Sequence, residues 1–283
     1  MITMSVASAK RIAEVIEEKS TLTNPDNALT TVADGSVDFD NVTFKYSDKA
    51  ENAVLSDIDL HIKSGETVGI LGGTGSSKTS LVNLISRLYD VTEGEVKVGG
   101  VNVKEYDLDT LRQNVAVVLQ KNVLFSGTIE ENLKWGDENA TEEEMKKACE
   151  ISQADEYIRS FPDGYQTYLE EGGTNLSGGQ KQRLCIARAL LRTPKILILD
   201  DSTSAVDTKT DALIRKGLKE TMPGTTKIII AQRISSIQDA DKIVVLDNGT
   251  INGIGSHEEL MKTNAIYKDI FETQNKTGGN DNE

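Results

Sequence analysis

The chain has 283 residues, enough for one large domain or two lobes, with 37% hydrophobic and 27% charged residues. No window approaches the roughly eighteen apolar residues of a membrane helix, and no charged-then-apolar leader opens the chain. The net charge of −14 argues against nucleic acid as the main partner, because a phosphate backbone normally needs a basic face.

Ala9, Ile12, Ala13 and Ile16 recur at helical spacing, with Glu14, Glu17, Glu18 and Lys19 facing away, and predict an amphipathic helix. Thr21 to Ser36 is rich in Thr, Asn, Asp and Gly, contains Pro25, and reads as a linker. Residues 1–36 therefore form one unit ahead of a domain that starts near Val37. Val42, Phe44 and Tyr46 alternate with polar residues, as do Ile58, Leu60 and Ile62, which predicts half-buried antiparallel strands.

Thr67 to Leu71 is an apolar run, and Leu81, Leu84, Ile85 and Leu88 follow at helical spacing. Between them lies Gly72-Gly73-Thr74-Gly75-Ser76-Ser77-Lys78-Thr79. Strand, glycine-rich turn and helix in that order make a phosphate-binding loop. Its glycines let backbone N–H groups turn around a polyphosphate, the helix start adds its dipole, and Lys78 adds a full charge. Thr79 offers a hydroxyl to the magnesium that travels with ATP. Ser77 stands where the pattern has a third glycine; the position is expected to be helical, which serine tolerates.

Apolar, Val- and Ile-rich runs follow at Val115 to Leu119, Ile196 to Leu199, Ile228 to Ala231 and Ile243 to Leu246. Unalternating runs separated by helices predict a mostly parallel sheet covered on both faces. A helical lobe is expected over 121–191, with a capping box at Thr141 and Glu144 and helix as far as Phe161. Cys149 and Cys185 fall in helix-like runs without metal-ligand spacing and read as structural thiols of a reducing compartment. His61 and His257 read as structural or exposed, and Trp135 carries no functional signal. Residues 273–283 are polar with Gly278-Gly279 and read as a disordered tail.

Two further segments carry chemistry. Ile196-Leu197-Ile198-Leu199-Asp200-Asp201 is an apolar strand ending in two carboxylates, placed to hold magnesium. Leu176-Ser177-Gly178-Gly179-Gln180 opens a helix with a good N-cap, Ser177. Two glycines just inside a helix cost roughly 1 kcal/mol each, and a second phosphate approaching that helix start accounts for them.

With the phosphate loop, the Leu176–Gln180 signature and the Leu199-Asp200 strand end in that order along the sequence, the chain resembles the nucleotide-binding domain of an ATP-binding cassette transporter, multidrug-exporter type, from about Val37 to Phe271. The resemblance implies an α/β fold: a P-loop NTPase core with a mostly parallel sheet, an antiparallel β subdomain and an inserted helical subdomain, in a domain spanning 37–272. It implies that Tyr46 stacks on adenine, that Gly72 to Thr79 and the following Ser80 hold the phosphates, and that Thr79, Gln120 and Asp200 serve Mg2+. It gives Ser177, Gly178, Gly179 and Gln180 to an ATP held by the opposite subunit, which Ser204-Ala205-Val206-Asp207 also contacts. Phe125-Ser126-Gly127-Thr128-Ile129 and Glu170-Glu171-Gly172-Gly173 resemble exporter segments. Residues 1–36 would follow a transmembrane domain, at the cytoplasmic face of the cell membrane.

Two departures matter. The family's catalytic glutamate is Asp201 here, and its histidine at the γ-phosphate is Gln232. Both changes spare binding and harm turnover, while Lys78 and the signature are intact. The expected role is therefore the hydrolysis-impaired half of a heterodimer. The alternatives are a homodimeric exporter with slow variants and a non-transport cassette protein that uses ATP to dimerise.

Overall fold

The computed structural model describes residues 2–47 and 49–278. A helix, α1 (Ile2–Glu17), comes first, and its Val6, Ile12, Val15 and Ile16 are exposed. The segment after it is tied to the domain. Asn24 donates to Asp107 and accepts from the Leu108 N–H, Leu29 bridges to Tyr106, and Val32 is buried. The stretch expected as linker thus packs against the domain from Asn24 onward, because Asn24 finds the Asp107 carboxylate and the Leu108 N–H and Val32 finds core.

Next come β1 (Val37–Phe44), β2 (Leu55–Ile62), β3 (Thr67–Leu71), α2 (Lys78–Ile85), β4 (Glu93–Val98) and β5 (Val101–Asn102). Then follow α3 (Leu108–Asn114), β6 (Val115–Val118), β7 (Gly127–Thr128), α4 (Ile129–Lys134), α5 (Glu142–Ile151), α6 (Asp155–Ser160) and β8 (Tyr168–Leu169). The chain continues with α7 (Gly178–Leu191), β9 (Ile196–Asp200), α8 (Thr208–Thr221), β10 (Thr226–Ile230), β11 (Lys242–Asp247), β12 (Thr250–Gly255), α9 (His257–Thr263) and α10 (Ala265–Gly278). Residues 273–278 continue α10 where a tail was expected; the remaining 279–283 lie outside the described residues.

β2, β1, β4 and β5 form an antiparallel sheet in that order, and β12, β11, β3, β10, β9 and β6 form the main sheet. All main-sheet neighbours are parallel except β12 against β11. Successive residues of its central strands feed opposite cores. Leu197, Leu199, Ile229, Ile243 and Val245 meet α5, α7 and α8 on one face. Ile196, Ile198, Ile228, Ile230, Val244 and Leu246 meet α2 and the antiparallel sheet on the other. Burial on both faces is why these runs show no polar alternation.

Two local expectations are corrected. α2 ends at Ile85, so Leu88 lies beyond the helix and is exposed. The helix expected to run to Phe161 breaks between α5 and α6, where Gln153 takes a left-handed φ of 60°. Thr141 does cap α5, its hydroxyl accepting from the Glu144 N–H. Cys149 and Cys185 are free and buried. Among the described residues no helix is long and apolar enough to cross a membrane.

Candidate functional site: a phosphate loop and its carboxylates

The loop between β3 and α2 lies at the C-terminal end of the parallel strands, where open α/β sheets bind ligands. Gly72 is required by crowding: a Cβ there would meet the Leu246 carbonyl oxygen at 2.4 Å and the Ser76 Oγ at 2.5 Å. Lys78 folds back over the loop, its Nζ donating to the carbonyls of Gly72 at 2.8 Å and Gly73 at 2.9 Å and to Ser76 Oγ at 3.2 Å. Burial pulls the Lys78 ammonium below its usual range, and Asp201 and Asp200 oppose that pull. The expectation for Ser77 is corrected. It caps α2 in the left-handed region, at φ 73° and ψ 21°, with no side-chain cap bond. Such a conformation costs an L-residue about 1–2 kcal/mol, which is the physical reason for a glycine there.

Thr79 and Asp200 come together, the Thr79 hydroxyl donating to Asp200 Oδ2 at 2.9 Å. Burial raises the Asp200 carboxyl above the usual range; the Thr79 bond opposes this, Asp201 adds to it, and Lys78 opposes it. Tyr46 sits beside α2, sharing a 2.8 Å hydrogen bond with Ser80 Oγ. Its ring meets Phe44 and Tyr89 edge-on, at 4.8 and 5.0 Å between centroids, and remains half exposed. Gln120 is exposed just past β6, whose Val118 pairs with Leu199 of β9; Gln120 therefore follows β6 at the strand end that carries Asp200.

Beyond β9 the chain turns sharply. Asp201 has φ 48°, and its N–H donates to the Ile230 carbonyl. Its carboxylate accepts from Gln232 twice, from the backbone N–H at 3.2 Å and from Nε2 at 2.6 Å. A cavity of about 250 Å3 beside this pair is lined by Asp201, Thr203, Ser204, Gln232 and Arg233 among others.

The start of α7 is a separate station. Ser177 Oγ accepts from the Gln180 N–H while Gln180 Oε1 accepts from the Ser177 N–H, a complete capping box with Ser177 and Gly178 exposed. Among the described residues no hydrogen bond or ion pair joins this helix start to the 72–79 loop. Its neighbour is the turn after β9. A Cβ on Gly179 would lie 2.9 Å from the Ala205 carbonyl oxygen, so close packing demands this glycine independently of any phosphate. Gln182, buried one turn later, donates to Ser204 Oγ at 3.3 Å and accepts from the Ala205 N–H at 3.0 Å. Arg233 donates to the Ser204 carbonyl at 2.7 Å.

The fold also joins segments far apart in sequence. β7 pairs with β8, and the Gly172 N–H donates to the Leu124 carbonyl, so the 125–129 and 170–173 segments are neighbours. Around them, Trp135 is 67% exposed and packs 4.8 Å from the Phe125 ring. An exposed tryptophan on a short helix end was the available signal for this surface, and its composition alone does not distinguish it from a core residue. His61 is exposed and paired with Asp38, while His257 bonds to the buried Tyr267 hydroxyl.

Comparison with known proteins agrees with this geometry. The sequence pattern of the ABC transporter family matches residues 55–204. The chain is 44% identical over 277 residues to YgaD of Bacillus subtilis, named as a multidrug export ATP-binding/permease protein, covering 97% of this chain and 47% of that one. It is 39% identical over 272 residues to the multidrug resistance protein pgp-1 of Caenorhabditis elegans, covering 95% and 21% respectively. Among solved structures, a bacterial Atm1-family ABC exporter with ATP bound superposes with a TM-score of 0.90 at 32% identity, over 96% of this chain and 48% of that one. The chain thus spans about half the length of YgaD and less of pgp-1. It belongs to the ABC transporter family and forms that family's ATP-binding domain.

Proposed function

We propose that this domain powers an exporter of the multidrug type, that its own ATP site turns over slowly, and that it works against a second, non-identical nucleotide-binding domain. The observation that carries the slow-site reading is the Asp201–Gln232 pair. A general base needs a free oxygen within reach of its water. Here both carboxylate oxygens are engaged by Gln232, and aspartate reaches one methylene less than glutamate. Glutamine can donate a hydrogen bond to a terminal phosphate but carries neither a proton to give nor a charge.

In this reading Tyr46 stacks on the adenine and the Gly72–Thr79 loop, with Ser80 behind it, wraps the phosphates. Lys78 exchanges its loop carbonyls for phosphate oxygens. Thr79, Asp200 and Gln120 are an all-oxygen donor set, which suits Mg2+, a hard cation that draws its other ligands from phosphates and water. When bound, that ion neutralises phosphate charge. The exposed cap of Ser177, with Gly178, Gly179 and Gln180, serves ATP held by the other domain. Its separation from this chain's own loop supports that division.

A transmembrane domain of the same longer chain is the second partner. The name of YgaD pairs ATP-binding with permease function, and this chain spans about half of that protein. Exposed Leu119, Val123, Phe125 and Trp135 flank a cavity of about 220 Å3 and supply an apolar surface for membrane-domain helices. The domain would work at the cytoplasmic face of the cell membrane, with α1 leading to it. Mixing tests the heterodimer. Phosphate release should be low for this chain alone and rise on adding a second exporter cassette that carries the family's glutamate and histidine. High activity of this chain alone would instead support a homodimer.

A further inference from the structure

The Gln232 loop is held from outside by one residue of the last helix. Gln274 Nε2 donates to the Gln232 carbonyl at 2.6 Å, and Gln274 Oε1 accepts from the Ile234 N–H at 3.0 Å. A single primary amide thus satisfies two backbone groups on either side of Arg233. Glutamine suits this because its amide carries donor and acceptor side by side, as a backbone peptide does. The helix bearing it is firmly seated: Tyr267 is fully buried and bonded to His257, whose ring also lies 5.3 Å from that of Phe271.

A cavity of about 490 Å3 lies between α10 and the loop, lined by Gln232, Arg233, Ile234, Gln238, Phe271 and Gln274 among others. The opposite side is held by the two bonds to Asp201 and by Arg233 on the Ser204 carbonyl. The loop that carries Gln232 therefore bonds to the β9 turn on one side and, through Gln274, to α10 on the other.

We propose that Gln274 is a positioning residue of the ATP site, holding the Gln232 backbone so that its side-chain amide faces the terminal phosphate. This rests on the reading of Gln232 given above. Its consequence is that the carboxyl-terminal helix forms part of the support for nucleotide recognition.

The test uses the full chain and compares affinities for Mg-ATP and Mg-ADP, together with amide hydrogen exchange at Ile234. In Gln274→Leu, ATP affinity should fall roughly 2- to 10-fold, the range of one neutral hydrogen bond, with ADP affinity unchanged and Ile234 exchange faster. Gln274→Glu keeps the acceptor for Ile234 and loses the donor to Gln232, so its exchange should stay slower than in Gln274→Leu. Gln232→Ala should lower the ATP-to-ADP preference, and adding Gln274→Leu to it should lower it no further. If Gln232→Ala lowers the preference and Gln274→Leu does not, or lowers both affinities equally, the inference is overturned. If Gln232→Ala leaves the preference unchanged, the reading of Gln232 itself falls, and the inference with it.

Discussion

Gln232 grips Asp201 with both its backbone N–H and its side-chain amide, at 3.2 and 2.6 Å. The pairing follows from strand register: Ile230 of β10 lies beside Asp200 of β9, so the residues leaving both strands must meet. Asp201 and Gln232, the positions that the family resemblance gives to a glutamate and a histidine, thus form one contact.

Restoring both residues should therefore act cooperatively. Asp201→Glu lengthens the base, and Gln232→His supplies a protonatable group. A positioned base contributes about 10²–10⁴-fold, and a displaced one forfeits less, so the double variant should release phosphate roughly 10–100-fold faster at saturating Mg-ATP. Each single change should give less, since both act on one transition state. No gain in a double variant that still folds and binds ATP would show that the site is limited elsewhere.

Lys78→Ala removes three hydrogen bonds from a charged donor, and with them the loop's full positive charge. ATP affinity should drop roughly 10–100-fold, the range of a charged hydrogen bond. Isothermal titration reads this directly, and unchanged affinity would mean that phosphate binds elsewhere.

The signature can be separated from the loop. Ser177→Arg puts a long cation at an exposed cap that touches nothing in the 72–79 loop. The isolated variant should keep its own ATP affinity within about 2-fold, a few tenths of a kcal/mol, while hydrolysis in the mixture with a second cassette should be lost. Loss of ATP binding by the isolated variant would exclude action across the dimer.

Asp200 offers a test by pH. Its carboxyl titrates above the usual range, chiefly because it is buried. The folded state therefore favours the protonated form, and the ionised group lowers stability at every pH above its folded pKa. Asp200→Asn keeps an acceptor for Thr79 without the charge. The nucleotide-free variant should melt higher than wild type at pH 7, and the difference should shrink as the pH falls toward the ordinary aspartate range. Magnesium-dependent ATP binding should weaken in the same variant. A lower melting temperature at pH 7 would show that the charge is compensated.

Ser77→Gly should relieve the left-handed strain, offset in part by the greater freedom of glycine in the unfolded chain. A net gain of about 0.5–1 kcal/mol corresponds to roughly 1–4 °C in Tm by calorimetry.

Much of this protein is set by local sequence. The capping boxes at Thr141 and Ser177, the uninterrupted apolar strands and the glycine-rich turn before Lys78 each follow from propensities that act within a few residues. The glycine-rich turn, the helix start at Ser177 and the strand end at Asp200 carry the family resemblance, and the matches with known ATP-binding cassettes agree with it. Tertiary structure alone decided what depends on distant partners. Ser77 is left-handed because the loop must turn between β3 and α2, although nothing in a serine demands that conformation. Gly179 is excluded from carrying a side chain by Ala205, 26 positions away, and Gln274 leaves the expected tail because a loop 42 positions earlier presents it with an unpaired carbonyl and N–H. Periodicity and capping read neighbours along the chain, whereas these residues answer to backbone groups that only folding brings near.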